Sequence, residues 1–198
     1  MNAQEFEESK KYKKLLSRKG YQKGYIVTQE KDTLGGLLKF RSNPSGELSS
    51  FWFFNQDGKK IYTEPTDVVA LKMGDLEYYS NQGSIFLKIY QGEKMDLLKN
   101  VTVTRASTFL IEAGFSYLGN RTNSMPLGDM LVDLIPVSPI LYLRIRSNEK
   151  FVEIQKKDFK STCKTIFNEC PTLVGKISEE TYYYHDLEAI IKEYDFCE

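Results

Sequence analysis

The sequence predicts an α+β fold: an antiparallel β-rich body, built as a sheet, a partly open barrel or a sandwich, with two C-terminal helices and one short N-terminal helix. Hydrophobic residues make up 41% of the 198 residues, enough for a sizeable core. Short apolar runs recur about every ten residues between Gly, Asn and Asp, as in all-β domains. The last forty residues change to helical spacing. We expect one domain over 1–198, with a β-rich body at 20–155 and a helical subdomain at 156–198.

The charge balance, the lengths of the apolar runs and the histidine count argue against several functional classes. Lys+Arg and Asp+Glu both number 27, whereas a nucleic-acid-binding domain usually has a basic excess. No apolar run is long enough to span a bilayer as a helix. The single histidine, His185, leaves little material for a metal site or a His-based catalytic group. We therefore expect no catalytic, cofactor-binding or metal-binding residues, no nucleic-acid partner and no transmembrane segment.

The N-terminal segment, residues 4–20, is charged, with a sparse apolar stripe formed by Tyr12, Leu15 and Leu16. This spacing predicts a short helix that ends before Gly20. Its Lys/Arg run is compatible with binding to a membrane surface or nucleic acid. A solvated helix face is the favoured interpretation, because three glutamates at positions 5–8 dilute the positive charge.

Residues 24–118 are expected to form antiparallel strands. GYIVTQ and TLGGLLKFR are joined by the polar turn EKD, and Gly35-Gly36 indicates a bulge or a close backbone approach. SSFWFFN is the third strand, followed by a turn at Asp57-Gly58. The remaining strands are expected in KIYTEP, VVALKM, LEYYS, SIFLKIY, MDLLKN, STFLIEAG and FSYLG.

The aromatic residues of these strands are the sequence's most suggestive binding feature. On a strand, Phe51 and Phe53 face one side, while Trp52 and Phe54 face the other. Together with Tyr78 and Tyr79, the second pair forms a candidate surface for a glycan or a protein. A central strand buried on both faces explains the aromatic run without a function, and is the favoured alternative.

The C-terminal third begins with a break in the pattern at residues 119–139, where MLVDLI forms either a helical turn or a buried segment. ILYLRIR and KFVEIQ, at 140–155, predict a hairpin. Helices are expected at 158–169, with Pro171 closing the first, and at 186–195. Their apolar stripes are Phe159, Cys163, Ile166, Phe167 and Cys170 in the first, and Leu187, Ile190, Ile191 and Tyr194 in the second.

Two nucleophile arrangements can be written from the sequence. GFSYLG has one residue too many for a nucleophile elbow, which disfavours a triad of Ser116, His185 and Asp186. Cys163 with His185 would make a cysteine nucleophile pair. A buried structural thiol is favoured, because Cys163 lies on the apolar stripe of its helix.

Both ends of the chain resemble uncharacterised exported envelope proteins of Bacteroidetes. KGYIVTQEKDTLGGLLKF is similar to their N-terminal "GYIV…GDT…G" hairpin, with Lys31 where they usually carry glycine. The C-terminal Asn168-Glu169-Cys170-Pro171, the tyrosines near position 182 and the final Cys197 resemble their helical tail. The resemblance implies no activity and no catalytic residues.

The resemblance implies export. We therefore expect a periplasmic, outer-membrane-associated or secreted protein, with Asn2-Ala3-Gln4 close to a processed signal-peptide site. The expected function is a non-enzymatic binding or structural role in the cell envelope, with an envelope protein, a glycan or an outer-membrane component as the partner. The alternative is a hydrolase whose site is dispersed along the sequence.

An oxidising compartment favours a disulfide. We predict a bridge between Cys170 and Cys197, at the exits of two helices packed side by side, with the connection GKISEETYYY looping out between them. Cys163 and Cys170 share one helix and are about 10 Å apart along its axis, too far to pair. Cys163 is therefore expected to be free and buried.

Overall fold

A computed structural model of the chain describes residues 9–42, 48–101 and 140–197. Its helices are α1 (Lys10–Leu16), α2 (Phe159–Ile166), α3 (Pro171–Ser178) and α4 (Leu187–Asp195), with short 3₁₀ turns at Pro65–Asp67, Lys156–Asp158 and Tyr184–Asp186. The strands expected in STFLIEAG and FSYLG, the segment MLVDLI and Ser116 lie outside the described residues.

Ten strands form one open antiparallel sheet, and the predicted α+β class is confirmed. The strands are β1 (Gln22–Thr28), β2 (Thr33–Ser42), β3 (Leu48–Phe54), β4 (Lys60–Thr63), β5 (Val68–Met73), β6 (Leu76–Asn81), β7 (Ser84–Gln91), β8 (Met95–Asn100), β9 (Leu141–Ile145) and β10 (Lys150–Ile154). Their order in the sheet is β10-β9-β8-β7-β6-β5-β1-β2-β3-β4. Most neighbours in the sheet are consecutive strands, whereas β1 pairs with both β2 and β5.

The chain separates into two compact units. The first comprises Met1–Leu87 and Val101–Pro136, and the second comprises Lys88–Asn100 and Val137–Glu198. In this division, β8, β9 and β10 belong to the same unit as α2, α3 and α4.

The first unit has apolar side chains on both faces of its strands. One face carries a core cluster that includes Leu38, Phe51 and Phe53, all fully buried. The other face is covered by α1, which packs Tyr12 and Leu15 against Leu37 and Phe54. The predicted N-terminal helix is thus present, and it packs on the β2–β3 surface rather than standing free in solvent.

Two glycines allow these strands to approach closely. A Cβ atom on Gly36 would lie 2.2 Å from the Phe54 carbonyl oxygen, and one on Gly24 would lie 1.8 Å from the Lys72 carbonyl oxygen. Gly35 has space around it, with Gln56 Nε2 nearest at 3.8 Å. The β1–β2 register is continuous through Gly35 and Gly36, so neither glycine marks a bulge and Gly36 alone marks a close backbone approach.

The second unit packs its three helices on one core. The core cluster joins strand residues such as Leu97, Leu143 and Ile154 to helix residues such as Phe167 and Ile190. Cys163 of α2 is fully buried within this cluster and forms no disulfide, as expected. Both predicted C-terminal helices, α2 and α4, are confirmed.

The helix α3 between them is a correction to the expected loop. Pro171 does not simply close the preceding helix, because α2 already ends at Ile166 and Pro171 occupies the first turn of α3. Proline is well suited to that position, since its fixed φ angle matches a helix and its missing N–H has no partner to lose there. Leu173 and Ile177 are then buried in the core, and the first four residues of the expected connection, 175–178, belong to α3.

Candidate binding surface and cleft

Of the four residues expected to form a binding surface, Trp52 has a ring that positively charged side chains contact. It is half-buried on β3, on the same face as Phe54 and beside Lys39 of β2. Lys60 Nζ lies 4.0 Å and Arg41 Cζ lies 5.0 Å from the Trp52 ring centroid. The indole Nε1 is buried without a hydrogen-bond partner. Two positively charged side chains therefore lie against the indole ring, and the indole N–H donates no hydrogen bond.

Phe54 and Tyr78 belong to the core instead. Phe54 is 6% exposed beneath α1, and its ring lies 5.6 Å from the ring of Tyr21. Tyr78 is 4% exposed on the opposite face, where its ring lies 5.0 Å from Phe40 and burial raises the pKa of its hydroxyl. Tyr79 is half-buried. The structure does not bring the four expected residues together. Alternation places Tyr78 on the opposite face, α1 covers Phe54, and Tyr79 lies on β6, which β5, β1 and β2 separate from β3.

Cations surround Trp52 on what we call the basic face. Because alternate strand residues share a face, Lys39 and Arg41 follow Leu37 on its side of the sheet, and Lys60 pairs with Phe54. The basic face consists of these three, the adjacent Lys59 and four exposed lysines of α1: Lys10, Lys11, Lys13, Lys14, Lys39, Arg41, Lys59 and Lys60. Its residues come from three separate parts of the sequence, so the overall charge balance conceals them.

The contacts of α1 place its lysines next to those of the strands. A Cβ atom on Gly58, in the β3–β4 turn, would lie 3.1 Å from the side chain of Lys11. Beyond the other end of α1, Lys39 Nζ donates a 3.4 Å hydrogen bond to the Lys19 carbonyl oxygen. The helix thus extends along the same surface from the β3–β4 turn towards β2.

The second unit contains the predicted disulfide. Cys170 and Cys197 are bridged, with their Cα atoms 5.8 Å apart. Cys170 precedes α3 and Cys197 follows α4, so the bridge ties the start of one helix to the end of the other. The pairing is as predicted, although Cys170 marks the entry of α3 and not the exit of α2.

The end of α4 is also held by the turn between β7 and β8. Asp195 accepts hydrogen bonds of 2.9 Å from the backbone N–H groups of Glu93 and Lys94. Lys94 Nζ donates to the carbonyl oxygens of Tyr194 and Cys197. A cation at the carboxyl end of a helix is favourable, because the free carbonyls there carry partial negative charge.

A cleft of about 670 Å³ lies beside this contact. Four segments line it: the β7–β8 turn, the β9–β10 turn, the end of α2 with the residues after it, and α4. The lining residues are Glu93, Lys94, Met95, Ile145, Arg146, Ser147, Asn148, Ile166, Glu169 and Tyr194. Apolar side chains of three segments combine with charges of both signs, a composition that suits a small polar ligand.

The polar groups of the cleft are held in place by the fold. Arg146 donates a 2.8 Å hydrogen bond to the Gly92 carbonyl oxygen. The Tyr194 hydroxyl donates a 3.4 Å hydrogen bond to Glu169. Burial, together with the negative charge of Glu169, raises the pKa of Tyr194, so this hydroxyl is protonated at neutral pH.

The cysteine nucleophile considered from the sequence is not formed. Cys163 is fully buried, and burial raises the pKa of its thiol to about 12. His185 is exposed, and its ring stacks on Tyr183 with centroids 5.8 Å apart. A thiolate is therefore not available at neutral pH. Among the described residues, no group of three or more His, Cys, Asp or Glu side chains is placed to hold a metal ion.

Comparison of the chain with protein-family models, with curated proteins and with solved structures found no match. In the described part of the chain, no helix has both the length and the apolar character needed to cross a membrane.

Sequence reasoning identified Trp52 but not its cationic neighbours, and it did not find the cleft. The lining residues of the cleft are spread over residues 93–194, with no motif spacing among them. The sequence does contain a run of lysines without acidic residues at 10–14. This run indicates part of a basic surface only once α1 is known to pack on Leu37 and Phe54, next to Trp52.

Proposed function

We propose that the chain is an exported module of the cell envelope that binds another envelope component and has no catalytic role. The observation that carries this proposal is the Cys170–Cys197 disulfide. Such bridges persist in oxidising compartments and are rare in a reducing cytosol. The partner is an outer-membrane component, a glycan or an envelope protein, and the module is periplasmic, outer-membrane-associated or secreted.

Two surfaces support a binding role. The basic face frames a half-buried indole with cations, and the cleft presents both signs of charge around apolar side chains. Neither needs a nucleophile or a metal ion to hold a ligand. The resemblance to exported Bacteroidetes proteins points to the same compartment, with an envelope partner as the ligand.

The test is the redox state of the cysteines in the cells that produce the protein. Cells are quenched in acid, the protein is denatured without reductant, and free thiols are labelled with a maleimide that adds a visible mass. Export predicts one label within residues 1–198, on Cys163, and three labels after reduction. Three labels without reductant, together with recovery in the cytosolic fraction, would overturn the proposal.

The alternative is a hydrolase, and the observation that favours it is the pair of carboxylates lining the cleft, Glu93 and Glu169. Carboxylates in a concave site are the usual acid and base groups of hydrolysis. The purified chain is assayed with chromogenic esters, glycosides and peptides, alongside Glu169→Gln and the exposed control Glu149→Gln. Turnover that Glu169→Gln abolishes and Glu149→Gln retains would establish the enzyme and replace the binding proposal.

A further inference from the structure

We propose that the basic face binds the phosphate-bearing headgroups of a membrane surface, with Trp52 at the contact. The choice of ligand rests on the proposed envelope location, because an exported module meets lipid headgroups and not nucleic acid. The binding itself is a property of the surface and can be measured on the isolated chain.

The electrostatics of α1 favour an anionic ligand. Lys10, Lys13 and Lys14 lie three or four residues apart, and like charges at this spacing destabilise a helix. The first turn contains no acidic residue, although that position favours negative charge. A seven-residue helix is marginal alone, and this one is retained by the packing of Tyr12 and Leu15. Lys13 and Lys14 lie in the last turn, where the helix dipole favours cations, but their spacing from Lys10 leaves a like-charge repulsion that an anionic surface would relieve.

Within the described residues, the charges of the basic face are not compensated by carboxylates. Among the described residues, none of the eight cations of the basic face forms an ion pair. Asp57, in the β3–β4 turn, accepts a hydrogen bond from Asn55 instead. The glutamates at positions 5, 7 and 8 lie outside the described residues. A solvated face usually intersperses both signs of charge, so eight cations without a carboxylate partner indicate an anionic ligand.

The cations of the basic face are distributed over a surface. They lie on the outward side of α1, on β2 and β4 and in the β3–β4 turn, so they do not converge on one point. A spread of this kind suits an array of headgroups better than a single small phosphate. Tryptophan is enriched where a membrane meets water, because its ring is apolar and its N–H is polar. Trp52 is half-buried and its Nε1 is buried, so the accessible part of its ring, and not the N–H, is what meets the headgroups.

The experiment measures sedimentation of the oxidised full chain with vesicles of phosphatidylcholine alone or mixed equally with phosphatidylglycerol. We expect binding to the mixed vesicles only, weakened by salt, because screening shortens the range of the attraction. The test variant combines Lys10→Gln, Lys13→Gln and Lys14→Gln. Each cation near an anionic surface contributes about 1 kcal/mol, so the variant should bind on the order of 100-fold more weakly.

A matched control removes the same charge elsewhere. Lys150→Gln, Lys156→Gln and Lys164→Gln are exposed positions of the second unit, and this triple variant should bind like the parent chain. Trp52 is the single tryptophan, so its emission reports the contact directly and should shift on adding mixed vesicles. Trp52→Phe keeps every charge and should weaken binding moderately.

Several results would overturn the inference. They are equal binding of parent chain and test variant, equal loss in the control variant, no binding to mixed vesicles, and displacement by soluble glycerol phosphate at the same phosphate concentration. Preference for duplex DNA over the vesicles would also overturn it. If the single-label result is obtained in cells while vesicle binding fails, the lipid inference is wrong and the envelope proposal stands.

Discussion

At the scale of single residues, the turn between β1 and β2 shows a local compromise. Lys31 has a φ angle of 67°, in the left-handed region that glycine adopts without strain. The surrounding turn is closed by hydrogen bonds between Thr28 and Asp32 and between Lys31 and Thr28. The hairpin therefore holds a lysine in a strained conformation.

Lys31→Gly should stabilise the chain. The left-handed conformation costs a non-glycine residue roughly 1–2 kcal/mol, and glycine's extra freedom in the unfolded chain returns about half of that. We expect a gain of roughly 0.5–1 kcal/mol in the free energy of unfolding, measured by urea denaturation. Lys31→Ala is the control and should change little, because alanine has the same backbone strain. A gain with alanine as large as with glycine would point to the lysine charge instead.

At the scale of elements, two sets of contacts hold the end of α4, and the disulfide is one of them. Cys170 and Cys197 close a loop with a sequence separation of 27, and Asp195 with Lys94 secures the same end of α4 to the β7–β8 turn. Gly92 makes this contact possible, since a Cβ atom there would lie 2.7 Å from the Asp195 carboxylate.

Replacing Cys170 and Cys197 together with serine should lower the free energy of unfolding by about 3–4 kcal/mol, the chain-entropy value for a loop of this length. Amide hydrogen exchange should increase most in α4, because the end of this helix loses the disulfide and keeps only the Asp195 and Lys94 contacts. Treating the parent chain with reductant should give the same loss, while reductant should not affect the double variant. A parent chain equally stable with and without reductant would show that the Asp195 contact is sufficient.

The contact between α3 and α4 makes stability depend on pH. Glu193 accepts hydrogen bonds from Lys176 Nζ, at 2.8 and 2.9 Å, and from the Tyr182 hydroxyl, at 2.7 Å. The hydrogen bond from Lys176 is the largest cause that lowers the pKa of Glu193 below its ordinary value. The folded state therefore binds this proton less readily than the unfolded chain does.

This stabilisation is present above the ordinary carboxyl pKa, near 4.3, and is lost as the pH falls through the lower folded value. Urea midpoints measured between about pH 6 and about pH 3 should fall, with a contribution from Glu193. Glu193→Gln should be less stable at the higher pH and show a shallower fall. Glu188→Gln, which removes an exposed partner of Lys192, should keep the slope of the parent chain. Identical slopes in all three proteins would rule out Glu193 as a source of the pH dependence.

At the scale of the whole molecule, the strands within the described residues were predicted well from the sequence, because their turns are local. Gly58 and Gly83 have φ angles of 72° and 77°, the positive values that the Asp-Gly and Gln-Gly turns require. The helices α2 and α4 were equally visible from their apolar spacing. Pro171 misled the prediction of α3, because a proline both follows helices and begins them.

The candidate surfaces were much less predictable, because they depend on contacts between distant parts of the chain. The burial of Phe54 follows from the docking of α1, about forty residues earlier in the sequence, and no local pattern encodes it. The cleft draws one or a few residues from each of four segments. Local patterns determine which elements form, whereas tertiary packing decides which side chains remain accessible.

The concentration of positive charge on the basic face should affect how strongly the whole protein binds to a cation exchanger. The formal net charge is zero and the isoelectric point is about 6.6, so uniform charge would give no retention on a cation exchanger at neutral pH. We expect retention through the basic face, because local potential and not net charge governs adsorption. The Lys10/Lys13/Lys14 variant should elute early, while the Lys150/Lys156/Lys164 control should elute close to the parent chain. Co-elution of the two variants would contradict this expectation.

The open sheet has a consequence for self-association. In the described part of the chain, β4 and β10 are the outermost strands. An edge strand presents backbone groups to which another chain can add, and this is a common start of aggregation. Here β4 has four residues, begins at Lys60 and is soon followed by Pro65, while β10 carries Lys150 and Glu153 within five residues. Short, charged edges of this kind oppose strand-to-strand addition, so the sheet can stay open at both ends without seeding fibrils.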